Sequence, residues 1–246
     1  MDGTDVEVRP VLAEVGRINM LFALETGPPG PGWLPLGGGC AVAPGTLAAE
    51  VEGVRVRLAG LSAEPNTRVE WRVAASVFHQ GLATRVLSPV LAAGVCHGAL
   101  VDAARFHGDP HRRGPVVLRT SQQRAAPVVG GTAELADWIE RTVVLGVMAR
   151  VARGLAGAGR VAPGLLRGNT AAALAGAVRA LGEDRPEHAA RAEAVAADLL
   201  TRPSLDGTGG YTGTDASGLG VFRRTTCCLY YRLPGAGYCG DCALRP

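Results

Sequence analysis

The sequence predicts an α+β protein, predominantly α: a helical body with a small β hairpin or sheet, ending in an irregular C-terminal segment rich in cysteine. Apolar residues recur at helical spacing along most of the chain. Short β-branched runs gather near residues 115–130. Four of the six cysteines lie between Cys227 and Cys242, after a glycine-rich stretch. At 246 residues the chain is long enough for one large domain or two unequal ones, and its core needs no disulfides.

In order along the chain, Leu12, Val15, Ile18, Met20, Leu21 and Leu24 suit a helix over 11–24, which the Pro- and Gly-rich stretch 27–39 ends as a loop. The partial alternation of VEGVRVRLA, residues 51–59, fits a strand, and a short helix fits it nearly as well. Val69, Val73, Val77 and Phe78 place a helix over 68–87; Ser88-Pro89 should kink or break it before it resumes over 90–105. HGDPHRRGP reads as a polar turn, followed by PVVLRT and APVVG as the two strands of a hairpin.

Thr132 is placed to cap a helix in which Leu135, Ile139, Val143, Val147 and Val151 recur at every fourth position. Asn169 is placed to cap a helix over 170–181 closed by Gly182, and Pro186 stands near the start of one that stops before Pro203. These elements divide the chain into an N-terminal helical or irregular region (1–66), a helical body (67–203), a flexible or irregular Gly-rich connection (204–220) and the cysteine segment (221–246).

Composition excludes several chemistries. All 25 basic residues are arginine, as expected of a genome whose base composition favours Arg, Ala, Gly and Pro codons. Without lysine there is no P-loop lysine, Schiff base or lysine general base. SLDGTGGYTGTDASGLG, residues 204–220, lacks the strand, helix and lysine of a phosphate loop, and GLAGAG, residues 154–159, reads as a helix end. A net charge of +3 with scattered arginines gives no footprint for nucleic acid. No uninterrupted apolar run reaches the ~18 residues of a membrane span, and MDGTDVEVRP lacks a basic start followed by an apolar segment, so the expected location is the cytoplasm.

In that reducing compartment clustered cysteines read as metal or redox groups. Cys227, Cys228, Cys239 and Cys242 form the pattern C-C-x10-C-x2-C. Thiolates select soft metals, and four of them complete a tetrahedral zinc or a 2Fe-2S cluster. The C-x2-C half serves either. The adjacent pair diverges, by about 100° in a helix and to opposite faces in a strand, which disfavours chelation of one small ion and favours the wider two-iron cluster. Which iron each cysteine would bind is not readable from spacing.

The tail FRRTTCCLYYRLPGAGYCGDCAL resembles the C-terminal signature of the FhuF-like ferric-siderophore reductases, and SVFHQGLATRVLSPVLAAGV and RGNTAAALAGA are less specifically similar to the family's central segments. The resemblance runs from about residue 68 onward. It implies a 2Fe-2S cluster held by Cys227, Cys228, Cys239 and Cys242, and one-electron reduction of iron(III) in a siderophore. Iron(II) is held far less tightly by hard oxygen ligands and leaves. No acid, base or nucleophile is needed, so the body is expected to seat the siderophore. The absence of flavin and nicotinamide fingerprints makes a ferredoxin-like protein the expected donor. A 2Fe-2S redox sensor, an electron-transfer or biosynthetic partner without ferric-siderophore turnover, and a zinc-stapled module are the other readings.

Tyr230, Tyr231 and Tyr238 lie between the cysteine pairs, where they pack around the cluster or touch the siderophore. Arg223, Arg224 and Arg232 are either solvated surface charges or groups that ease reduction and attract an acidic donor. Of these, Arg223, Arg224, Tyr230, Tyr231 and Arg232 are the candidate substrate contacts. Cys40 and Cys96 are expected in the core, and His79 and His97 as hydrogen-bonded structural residues. His107, Asp109 and His111 are read as a polar turn in preference to a weak metal site.

Overall fold

The structure, a computed structural model, describes residues 5–61, 68–109 and 116–245. It is 56% helix and 13% strand, the α+β, mostly α class that the periodicity predicts. The central element is α3, Trp71–His97, buried over most of its circumference, as a helix apolar all round must be. Its widest partner is α6, Pro163–Asp184, a helix whose buried residues are mostly small, among them Ala171, Ala172, Ala173 and Ala175. Around this pair lie α1 (Val8–Val15), α2 (Pro44–Gly60), α4 (Gly131–Ile139), α5 (Ala149–Ala158) and α7 (Pro186–Thr201). Leu87 and Leu91 at the centre are fully buried, and truncating either to Ala should cost about 2–5 kcal/mol.

Expectation and structure part at several elements. The first helix stops at Val15; the Asn19 side chain accepts the Leu21 N–H at 2.8 Å, turning the chain and leaving Met20 65% exposed. Residues 51–59 belong to helix α2, whose start is fixed by Pro44 in the first turn. Pro89 does not break α3, because the helix is packed on all sides there and tertiary burial outweighs one lost backbone bond. It ends instead at Gly98, which takes the left-handed conformation (φ 61°) that closes a helix. Beyond it come β4 (Ala99–Leu100), a short 3-10 turn and β5 (Phe106–Gly108), in place of the expected helix to 105.

PVVLRT and APVVG do not pair with each other. They supply β6 (Leu118–Thr120) and β7 (Arg124–Pro127), which join separate sheets. One has the order β1-β7-β4, with β1 (Val6–Glu7) antiparallel to β7; the other is β2-β6-β5-β3, with β2 (Glu25–Thr26) parallel to β6 and β3 (Leu34–Pro35) antiparallel to β5. These partners lie far apart in sequence, so the loop expected over 27–39 carries one strand of a non-local sheet.

Thr132 does not cap: Gly130 precedes the helix, and the Glu134 carboxylate accepts the N–H groups of Val129 and Gly130, each at 2.7 Å. From α4 the chain runs through a π-helical segment, Glu140–Met148, directly into α5. This explains the strict four-residue recurrence. Four residues overshoot an α turn by roughly 40°, and fall short of a wider π turn by a similar angle, so the mixture keeps Leu135, Ile139, Val143, Val147 and Val151 on one buried side. Arg202, bonded to Asp137, Glu140 and Asp198 at 2.7–2.9 Å, ties the start of this segment to the end of α7.

The glycines of 154–159 serve packing. A Cβ on Gly154 would strike the Val42 carbonyl and Leu47, so α5 can lie this close to α2 only without one. Residues 204–220 are more regular than expected: Gly209–Thr214 (β8) pairs antiparallel with Gly220–Arg224 (β9).

Candidate functional site

Strand β9 delivers the chain to the cysteines. Just past Arg224, the Thr225 N–H and hydroxyl donate to the carbonyls of Thr208 (3.0 Å) and Gly207 (2.6 Å), fixing where the segment leaves the hairpin. After Cys227 and Cys228 the chain turns sharply at Leu229, whose φ of 66° is rare for a branched side chain. That turn points the Leu229 N–H at Cys227 Sγ, 3.3 Å away. A 3-10 turn over Tyr230–Arg232 reverses the chain, and at the far end the Leu244 N–H donates to Cys242 Sγ, also at 3.3 Å.

Cys228 and Cys242 are buried, Cys227 and Cys239 half-buried. Cys228 Sγ and Cys239 Sγ lie 3.3 Å apart. A tetrahedral metal with bonds of about 2.3 Å places its sulfurs roughly 3.7 Å apart, so this pair nearly has the spacing that one iron would impose. Burial, followed by the Cys228 thiol and the Asp241 carboxylate, pushes the Cys239 thiol far above its ordinary pKa. A thiol held in this way must give up its proton before it can bind a soft metal. The two N–H···S bonds and the close Cys228–Cys239 sulfur pair suit a cluster that carries excess negative charge. Among the described residues, no three His, Cys, Asp or Glu side chains converge on a single ion.

The segment is held to the body by a polar chain that the sequence reading missed. Asn169, expected as a helix cap, lies inside α6, whose first turn starts at Pro163, and is fully buried. Its amide nitrogen donates to the Ser76 carbonyl (2.9 Å) and hydroxyl oxygen (3.0 Å) on α3. Ser76 in turn donates to the Cys228 carbonyl at 2.7 Å. Asn169 Oδ1 accepts from the Arg224 guanidinium at 2.5 Å, and Gln80 Oε1 accepts from the same guanidinium at 3.2 Å. Gly168 makes room, since a Cβ there would collide with the Thr226 hydroxyl. The only sign of this in the sequence is a Gly-Asn pair inside an Ala-rich helix.

The candidate substrate contacts separate. Tyr230 and Tyr231 are 42% and 41% exposed, and Tyr231 lies 6.5 Å, centroid to centroid, from Tyr238. Arg232 reaches back to Glu70 at 2.5 Å, and Arg223, also on the surface, donates to the Arg245 carbonyl at 2.6 Å. Arg224 is 2% exposed and faces the interior.

Elsewhere, Cys40 is exposed in a 3-10 turn, contrary to the core position expected of it. Cys96 is half-buried, its thiol pushed up to about 11 by burial. His79 is fully buried, but neither ring nitrogen has the hydrogen bond expected of a structural histidine. Burial first, and the Arg224 charge second, lower its pKa to about 3, so it is neutral. It forms part of the floor of a cavity of about 300 Å³ lined by Val144, Met148, Leu166, Thr170 and Leu205. His97 is exposed at the end of α3. His107 Nδ1 is 3.1 Å from the Arg105 carbonyl, and His111 lies outside the described residues.

A mostly α body ending in a four-cysteine segment, in which the Cys228 and Cys239 sulfurs meet and backbone N–H groups point at those of Cys227 and Cys242, has the donor set of an iron–sulfur protein. Residues 224–244 match the FhuF 2Fe-2S C-terminal domain, so this end of the chain is FhuF-like and its cofactor is a 2Fe-2S cluster. A comparison with curated proteins gave no match. No helix among the described residues is long and apolar enough to cross a membrane.

Proposed function

We propose that Cys227, Cys228, Cys239 and Cys242 hold the cluster, and that the protein is a ferric-siderophore reductase supplied by a ferredoxin-like donor in the cytoplasm. The observation that carries this reading is the four-cysteine segment, which matches the FhuF 2Fe-2S domain. The chemistry a 2Fe-2S cluster supplies here is transfer of one electron to iron(III), the substrate metal.

The chain's own residues would do the rest. Tyr230, Tyr231 and Tyr238 offer an amphipathic face beside the thiols, apolar enough to receive a siderophore backbone and able to hydrogen-bond its oxygens. Arg223 and Arg232 border that face and favour an anionic complex or an acidic donor surface. Ser76 and Asn169 fix the Cys228 main chain, so little rearrangement should accompany a change of charge.

The experiment is anaerobic. Reduced protein is mixed with ferric siderophores of hydroxamate, catecholate and carboxylate types in the presence of an iron(II) trap, and the visible spectrum is followed. Reoxidation in step with trapped iron is expected for at least one type. A loaded cluster that none of the three reoxidises would reject the reductase reading in favour of a redox sensor or electron-transfer partner.

A further inference from the structure

Arg224 is the only Asp, Glu or Arg side chain buried among the described residues. Taking a guanidinium out of water is unfavourable unless opposite charge and hydrogen bonds replace the lost hydration. Its hydrogen-bond acceptors, Asn169 and Gln80, are neutral amides. The nearest carboxylate oxygen, Asp241 Oδ2, stands 3.9 Å from Arg224 Nε, and neither of those two atoms has a hydrogen-bond partner. Within the protein, then, this cation is incompletely balanced.

Its position indicates what completes the balance. The Arg224 N–H donates to the Asp241 carbonyl at 3.1 Å, which ties it between Cys239 and Cys242. The same Asn169 that holds its guanidinium also holds Ser76 and, through Ser76, the Cys228 carbonyl. A cluster bound by four thiolates is net negative and gains a further negative charge on reduction. A buried cation nearby stabilises the reduced state more than the oxidised one, and does so in a medium where charge is weakly screened. Arg223 and Arg232 lie at the surface, bonded to the Arg245 carbonyl and to Glu70, where water and salt blunt their influence.

We propose that Arg224 is the positioning residue that sets the cluster's reduction potential, held in place by Asn169 of α6 and Gln80 of α3 as a built-in counter-charge. The proposal rests on the reading that the four cysteines carry the cluster, and it is independent of what receives the electron.

The test is a redox titration, followed by the visible and electron-paramagnetic spectra, of full-length protein with its iron and sulfide content measured. Arg224→Gln should lower the reduced-to-oxidised ratio at fixed ambient potential about tenfold, which is 59 mV for a one-electron couple. Arg224→Lys should recover most of that loss. Arg223→Gln and Arg232→Gln should stay within about twofold of wild type, and raising the salt should leave the Arg224 effect in place. Gln80→Glu keeps Arg224 but neutralises it, and should shift the ratio the same way; it decides the matter should Arg224→Gln fail to load. Loaded Arg224→Gln or Gln80→Glu protein that titrates like wild type overturns the proposal. Wild-type protein without iron and sulfide overturns the reading beneath it. A normal Arg224 effect with no siderophore reduced supports the proposal and rejects only the recipient.

Discussion

Between Trp71 and Leu205 the chain buries row upon row of Ala, Val and Leu, whereas from Thr225 to Arg245 only Cys228, Leu233 and Cys242 are buried. The body is stabilised by apolar area removed from water and would hold its shape with any residues of similar size and pattern. The cysteine segment has almost no such area. Its order comes from a few polar ties, Ser76 to Cys228, Asn169 to Arg224 and Glu70 to Arg232, and from whatever its sulfurs bind. Tolerance to substitution should therefore differ sharply between the two regions, and so should the consequence of losing the cofactor.

The harshest way to break that comparison is Cys228→Ser or Cys242→Ser. Each should abolish iron and sulfide retention while far-UV circular dichroism of the body stays unchanged and limited proteolysis finds new cuts within 225–245. A collapse of the whole helical signal would mean that the body, too, depends on the cluster.

Next in size is a test inside the body. His79 is buried neutral with a pKa near 3, so between about pH 6.5 and pH 3 the unfolded chain binds a proton that the folded one refuses. Stability present above pH 6.5 is lost as the pH falls through that window, with a slope approaching ~1.4 kcal/mol per pH unit from this residue. His79→Leu should remove that share of the slope, read from urea midpoints across the pH range.

Two glycines of one helix give a smaller, signed contrast. Gly168→Ala pushes a methyl into the Thr226 and Arg224 side chains and should cost about 1–3 kcal/mol and loosen the cluster. Gly176→Ala, exposed with nothing within 4 Å, should gain about 0.5–1 kcal/mol. Thermal unfolding followed at 222 nm and in the visible band separates the two. The smallest effect is expected from Tyr231→Ala, which should leave the potential alone and slow electron delivery to a ferric siderophore a few-fold in stopped flow.

What was legible in the sequence follows the same division. The C-C-x10-C-x2-C pattern is local and chemical, so it could be read without a fold. The helical class was legible because periodicity survives averaging over long segments. Asn169 was misread because its partners, Ser76 and Arg224, lie 93 and 55 residues away, and a cap is the commoner reason for an Asn next to small residues. Pro89 was overvalued because a local propensity was set against packing that only the assembled core supplies. A small β component was expected, but its pairing was invisible for the same reason: β1 finds its partner across more than a hundred residues.

The π-helical turns of Glu140–Met148 carry a consequence of their own. Such turns hold more chain than an α-helix of equal length, so the segment acts as slack wound into a rod. The loss of one residue there can be taken up by tightening π turns into α turns, whereas one residue lost from the first turn of α5, which holds no slack, rotates everything after it by about 100°. Gly154 would then swing off its seat against Val42, and a side chain facing solvent would be driven into the interior. The π turns thus give the rod a place where its length can change without turning the helix that follows.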